Sequence, residues 1–238
     1  MTDWALKRFW KEANVARRDA GWAIELDGRP VRTPARTPLI VPTAALAEAI
    51  AWEWQDQDGQ VQPARMSMTR SANSALDKVT PQRDEVVAYI AAYGATDLVC
   101  YRADRPDGLM TAQAEAWDPL LDWARSALAA PLVATAGILP VDQPEGSIRA
   151  LRAEVEQRDA FALTALHDLV MLSGSLIIGL AAQSGVLPAQ DLWDRSRIDE
   201  HWQEAQWGAD AEAMEAAAAK RADFLHAARF GELSKASA

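Results

Sequence analysis

Cysteine is all but missing from this chain: Cys100 stands alone, which rules out an internal disulfide and any thiolate-built metal set, and fits a reducing compartment. Histidine is scarce too. His167, His201 and His226 lie far apart and none pairs with another at helical spacing, so a zinc site has no ligands to build on. No glycine-rich phosphate loop is present, because Gly174 and Gly179 fall in an apolar stretch without the lysine that such a loop needs. A Gly-x-Ser-x-Gly elbow is likewise missing, and Ser173-Gly174-Ser175 reads as small-residue packing in mid-helix. No cofactor and no metal are expected. Basic residues are outnumbered, 24 against 34 acidic, and a net charge of −10 disfavours nucleic acid or an anionic membrane as partner. The opening Met1-Thr2-Asp3-Trp4 has neither the apolar core of a secretory signal nor an Arg-rich import leader, which leads to the expectation that the chain works where it is made. The longest apolar stretch, Leu163 to Ala182, holds His167 and Asp168 and reads as one buried core helix rather than a membrane span.

What is present is a core-forming composition. Half of the 238 residues are apolar, enough for one large domain or two small ones. Ten of the seventeen aromatic residues are Trp, expected mostly as core filler with a minority at a binding surface. Trp22, Ile24 and Leu26 alternate with Ala23 and Glu25 at the period of a half-buried strand, and Asp27-Gly28 supplies the turn of a hairpin. Val31, Thr33 and Leu39-Ile40-Val41 read as returning strands interrupted by Pro34 and Pro38. Thr43 is placed as the N-cap of a helix reaching about Gln57, with Trp54 on its apolar stripe and Trp52 off it. The polar run Asp56 to Pro63 is the candidate linker, dividing an N-terminal β-rich domain, residues 1–62, from a C-terminal α-helical domain, residues 63–238.

Beyond that run, one helix signal comes after another. Thr80-Pro81 reads as an N-cap and first turn, Asp118-Pro119 as a helix boundary or kink, and Ser147 as the cap of a helix to about Arg158. Leu132 to Val141 is the one later stretch with strand character. Pro188 to Gln206 is expected as one helix stopped near Gly208, and Ala211 to Phe230 as the last, closed by Gly231, with a frayed tail after Leu233. The fold class is therefore α+β: a small β-containing domain with one or two helices, then a mostly α-helical bundle domain.

One segment carries an unusual pattern, Trp193 to Gly208. On a continuous helix Asp199 shares a face with Leu192, Ser196 and Trp202, which sets a carboxylate on the stripe that otherwise packs. Arg195, one turn back, is the nearest candidate for a salt bridge, and a purely structural pair is as compatible with the pattern as a functional one.

The chain resembles the assembly-chaperone family for the soluble catalytic sector of F-type ATP synthase, the members that bind the free alpha subunit. The resemblance is carried by Lys7-Arg8-Phe9-Trp10-Lys11-Glu12, Leu26 to Pro34, Val41-Pro42-Thr43 with Glu53-Trp54, and Met68-Thr69-Arg70 with Ala75-Leu76-Asp77. It continues through Asp97 to Arg102, Trp117-Asp118-Pro119, Ser173-Gly174-Ser175 and Ile198 to Gly208. It implies a non-enzymatic chaperone, without cofactor or turnover, that covers the apolar, beta-facing surface of an unassembled alpha subunit until the beta subunit replaces it. It also implies a functional acidic residue at Asp199, where family members often carry Glu, so that Glu200 can share the role. Asp199, Glu200, Arg195 and Trp202 are accordingly the candidate partner-binding residues, and Trp54 is implied to serve folding. Ser67 stands where the family commonly has proline. A monomer in a bacterial cytoplasm is expected. The alternatives are a small-molecule enzyme or ligand-binding protein using the Asp199/Glu200 site with His201 and Arg195, and a constitutive subunit of a stable complex with a permanent apolar interface.

Overall fold

A computed structural model describes residues 7–137, 139, 141–208 and 210–235. The start Met1 to Trp4 and most of the expected frayed tail, Ala236 to Ala238, lie outside them. The chain divides into two compact units. The first is residues 1–83 with two later returns, 159–165 and 229–238; the second is 84–158 with 166–228. The first mixes strands and helices and the second is mostly helical, so the α+β class holds.

In the first unit, β1 (Ala13–Arg18) and β2 (Gly21–Leu26) form an antiparallel pair, and β3 (Arg29–Pro30) and β4 (Ile40–Val41) both run against β2. The β2–β3 turn is the expected one: Asp27 at φ 49° and Gly28 at φ 76° give the two consecutive positive values of a tight hairpin. At Gly21 a Cβ would lie 2.4 Å from the Val41 carbonyl oxygen, so only glycine lets β4 approach there. Helix α1 (Ala44–Gln55) starts where Thr43 accepts the Leu46 amide at 3.1 Å, and packs fully buried Leu46 and Ile50 with Ile24 and Val41. Each such aliphatic side chain contributes roughly 1.5–3 kcal/mol by leaving water.

Trp52 is 67% exposed, whereas Trp54 packs on this core, its ring 5.2 Å from that of Trp10 in an edge arrangement. The run Asp56 to Pro63 is not a loose linker. Gln57 is buried, donating to the Glu53 carbonyl and accepting from the Gln62 amide at 2.7 Å, and the Arg8 side chain donates to the carbonyls of Gln55 and Gln57. The chain stays in the first unit after it because Glu53, buried on α1, caps the next helix: its carboxylate accepts the Met68 and Thr69 amides and the Thr69 hydroxyl at 2.7–2.8 Å. Helix α2 (Ser67–Ser74) starts there, and a π-turn over Ala75–Val79 continues from it. Thr80 is therefore no N-cap. It is in the right-handed helical region, and its hydroxyl donates to the Ala75 carbonyl at 2.8 Å.

The second unit opens with α3 (Arg83–Ala92), whose Val87 and Ile90 are buried. After β5 (Tyr101–Arg102), α4 (Asp107–Ala127) runs on through Pro119 as one helix, and β6 (Thr135–Ala136) is the strand element of the 132–141 stretch, parallel to β5. Helix α5 (Glu145–Glu156) begins before Ser147, which is buried inside it and donates to the Pro131 carbonyl. The expected long apolar helix is two helices, α6 (Ala160–Ser173) and α7 (Leu176–Ser184), divided by Gly174 at φ 73°. Asp97 makes the break. Fully buried, it accepts the Ser175 hydroxyl at 2.6 Å and the Ile177 and Val99 amides at 3.0 and 3.2 Å, while Ser175 caps α7 through the Ile178 amide. Periodicity cannot reveal a break when both halves are apolar on every side. Helices α8 (Ala189–Arg195) and α9 (Ile198–Trp207) are likewise separate, and α10 (Ala211–Ser234) continues past Gly231.

Two outcomes test these fastenings. Replacing Glu53 by Ala strips the acceptor from the buried Thr69 donors and should cost about 2–4 kcal/mol in urea unfolding, more than Trp52→Ala. Burial raises the Asp97 carboxyl to about 6, against hydrogen bonds from Ser175 and the amides that favour its charged form. A raised acid gives stability that is fully present below its unfolded value of 3.8 and lost as pH rises through 6. The stability of Asp97→Asn relative to the wild type should therefore rise between pH 4 and pH 7, and a flat difference would show that the carboxyl does not titrate in that window.

Candidate functional site

The segment from Trp193 to Gly208 is fixed at its start and open at its end. Trp193 is buried with its ring 5.6 Å from Phe224, and Ser196 closes α8 by donating to the Trp193 carbonyl at 2.6 Å. The break at Ser196-Arg197 re-aims the next helix, so Asp199 does not continue the Leu192 stripe of one long helix. It stands instead in the first turn of α9, where the helix dipole favours a carboxylate.

The expected Arg195–Asp199 bridge does not form among the described residues. The Arg195 guanidinium donates to the Ala116 carbonyl, and the Arg195 carbonyl accepts the Trp117 indole N–H at 2.7 Å, so both ends of this residue hold α8 to α4. Asp199 is met by Gln113, whose side-chain amide donates to it at 2.6 Å. Gln113 is 1% exposed, and its carbonyl oxygen accepts the Ala103 amide at 2.8 Å, which fixes its nitrogen toward Asp199. Glu200 pairs with Arg197 at 2.7 Å, and that guanidinium also lies 5.7 Å above the Trp193 ring. The indole of Trp202 lies over Gly108, where a Cβ would come within 2.5 Å of it, so glycine at 108 is what admits the ring. His201 is exposed, and Trp207 is 80% exposed at the end of α9.

Of the four candidate residues, Asp199 and Trp202 thus meet α4 side by side through Gln113 and Gly108, while Arg195 and Glu200 each serve a separate contact. Two further residues belong to this arrangement. Gln113 had no sequence signal, being one polar residue on an amphipathic helix. Arg102 did, through the Asp97 to Arg102 motif: it donates to the carbonyls of Val99 and Gln113, pairs with Asp118 at 2.9 Å and lies 5.1 Å from the Trp117 ring. The motif around Trp117-Asp118 is thereby the socket for Arg102 and for α8.

Chemistry has little to work with here. Asp199, Glu200, Arg195 and His201 point to four different surroundings, so no acid–base pair converges. Ser175 is fully buried against Asp97, and burial pushes the Cys100 thiol up to about 12, away from any nucleophilic thiolate. No group of His, Cys, Asp or Glu among the described residues is placed to hold a metal ion, and none of their helices is long and apolar enough to cross a membrane. Replacing Gln113 by Leu should cost about 1–3 kcal/mol by leaving the Ala103 amide without an acceptor. In a double-mutant cycle with Asp199→Ala, which removes the acceptor, the two losses should fall short of additive, and strict additivity would rule out the Gln113–Asp199 bond.

A family model described as ATP12 chaperone protein matches residues 7–125, half of the chain. The crystal structure of Atp12 from Paracoccus denitrificans is 50% identical and superposes with a TM-score of 0.94, over 96% of this chain and 98% of that one; a variant of that protein with an aspartate-to-lysine substitution matches equally. The Atu1473 protein of Agrobacterium tumefaciens is 38% identical with a TM-score of 0.89, over 96% of this chain and 85% of that one. Mitochondrial atp12 of Schizosaccharomyces pombe is 22% identical over 223 residues, 89% of this chain and 77% of its own. The enzymatic reading of the acidic segment does not stand beside these relationships. The chain belongs to the ATP12 chaperone family, and it is an assembly chaperone for ATP synthase rather than an enzyme.

Proposed function

We propose that this protein binds the free alpha subunit of the ATP synthase catalytic sector and shields its beta-facing surface until the beta subunit takes its place, working as a monomer in a bacterial cytoplasm. The observation that carries the reading is α9 itself: none of its ten residues is buried, yet its first turn is held in place by Gln113 and its ring at 202 by Gly108. A helix positioned at one end, with Asp199, Glu200 and Trp202 half-buried in its first turns and its last turn exposed, offers these side chains to a partner at little ordering cost. Trp207 adds a large apolar side chain at its far end, of the type enriched at binding hot spots. Arg195 acts behind this surface by fastening α8 to α4. The acidity of the second unit, 22 acidic against 10 basic residues, suits a partner surface with basic groups around an apolar centre.

The test is co-purification with isolated alpha subunit at micromolar concentration, and then addition of beta subunit. Binding succeeded by release supports the chaperone role; retention of the complex would instead favour a constitutive subunit, and failure to bind overturns the partner. Asp199→Lys should weaken binding about tenfold or more while the thermal midpoint moves little. A collapse of the midpoint would place Asp199 among the structural residues.

A further inference from the structure

We infer that the first unit carries a second docking surface, a basic rim around a small apolar hollow on its sheet, which takes an extended acidic segment of a protein partner. The inference does not depend on that partner being the alpha subunit. Charge is distributed unevenly along this chain: the first unit has 14 basic against 12 acidic residues in a protein whose net charge is −10. Within residues 17–36 the excess is local, with arginines at 17, 18, 29, 32 and 36 against Asp19, Glu25 and Asp27. Two of these three acids are already engaged. Glu25 pairs with Arg18, and the Asp27 carboxylate accepts the Glu12 and Lys11 amides, which hold it below the usual carboxylate range. Arg32 and Arg36 have no ion-pair partner among the described residues and are exposed.

The loop that presents them is built rigidly. Thr33 is buried, and its hydroxyl donates to Asp77 at 2.7 Å while accepting the Thr37 amide at 3.1 Å. Asp77 also takes the Ala35 amide at 3.0 Å; burial works to raise this carboxyl, but the bonds from Thr33, Ala35 and Thr37 outweigh it and hold the group low. The Arg36 amide donates to the Thr33 carbonyl at 2.8 Å with Arg36 at φ 67°, a left-handed conformation that a long side chain seldom adopts. The Arg32 guanidinium in turn donates to the Arg36 carbonyl at 2.9 Å, so the strained residue orients its neighbour.

Beside Arg32 lies a hollow of about 170 Å³ whose lining includes Ala23, Val31, Leu39 and Ile40, with Arg18 also on its rim. That volume is below the roughly 300–1,000 Å³ of small-molecule pockets and suits one aliphatic side chain. A guanidinium fork matches a carboxylate in two parallel hydrogen bonds, and Arg is enriched where such anions are read. The site therefore fits a Glu or Asp next to a Leu, Ile or Val on an extended chain, the carboxylate on Arg32 and the aliphatic group in the hollow.

The experiment uses the full chain with fluorescein-labelled synthetic peptides, one alternating Glu with Leu and one alternating Lys with Leu, read by anisotropy. The acidic peptide should bind, weaken with added salt, and lose about tenfold or more in affinity with Arg32→Glu, while the thermal midpoint is kept. Should that variant unfold, Arg32→Gln carries the test with a smaller loss in the same direction. Equal binding of the two peptides, no loss in either variant, or stronger binding to anionic lipid vesicles or single-stranded DNA than to the acidic peptide would overturn the inference.

Discussion

The second unit depends on one carboxylate that has no ion-pair partner among the described residues. Asp97 is buried completely, and what makes this tolerable is that the Ser175 hydroxyl and the amides of Val99 and Ile177 are spent on it. The consequence reaches well beyond the residue. By gathering the first donors of α7 it ends α6 at Ser173, and it lets Gly174 take the left-handed turn between them, where the Gly174 carbonyl accepts the Leu98 amide at 3.3 Å. The chain after Asp97 is thereby set so that Arg102 reaches Asp118 and the Gln113 carbonyl, and Gln113 in turn meets Asp199. A buried acid in one motif thus bears on where the half-buried acid of another is found.

The first unit is fastened by the same device. Glu53 caps α2 from α1, and Asp77 gathers the 33–37 loop from the turn after α2. In each case a side-chain carboxylate supplies what a neighbouring segment's backbone donors need, which is cheaper than leaving those donors buried without acceptors. This gives the short motifs Met68-Thr69 and Ala75-Leu76-Asp77 a structural role of their own. They close hydrogen bonds between segments of the first unit that are distant in sequence.

The exposed parts of the molecule divide by charge. The second unit gathers most of the acidity and ends α9 in an exposed tryptophan, while the first concentrates arginine on a braced loop. For an assembly chaperone, charged and half-exposed surfaces have a physical merit: they give orientation and encounter rate without the deep apolar burial that makes a permanent complex.

Local chemistry was enough to fix much of this from the sequence. Thr43 as a cap, Asp27-Gly28 as a turn, Trp52 outward, and α+β as the class rest on interactions within a few residues, where propensity and spacing are decided. The same is true of the exclusions, since one cysteine and scattered histidines cannot build a site whatever the fold. What only the tertiary structure decided are the partners of polar groups distant in sequence. Ser147 looks like a cap because its neighbours are cap-like, but its hydroxyl goes to the Pro131 carbonyl. The apolar run from Leu163 to Ala182 carries no periodic mark of its break because the cause, Asp97, lies some eighty residues away. Arg195 is in reach of Asp199 on a continuous helix and goes elsewhere once Ser196 ends α8, leaving the carboxylate to Gln113. Sequence determines which groups must be satisfied; the fold determines by whom, because a hydrogen bond is selected by position in space and carries no trace of chain separation.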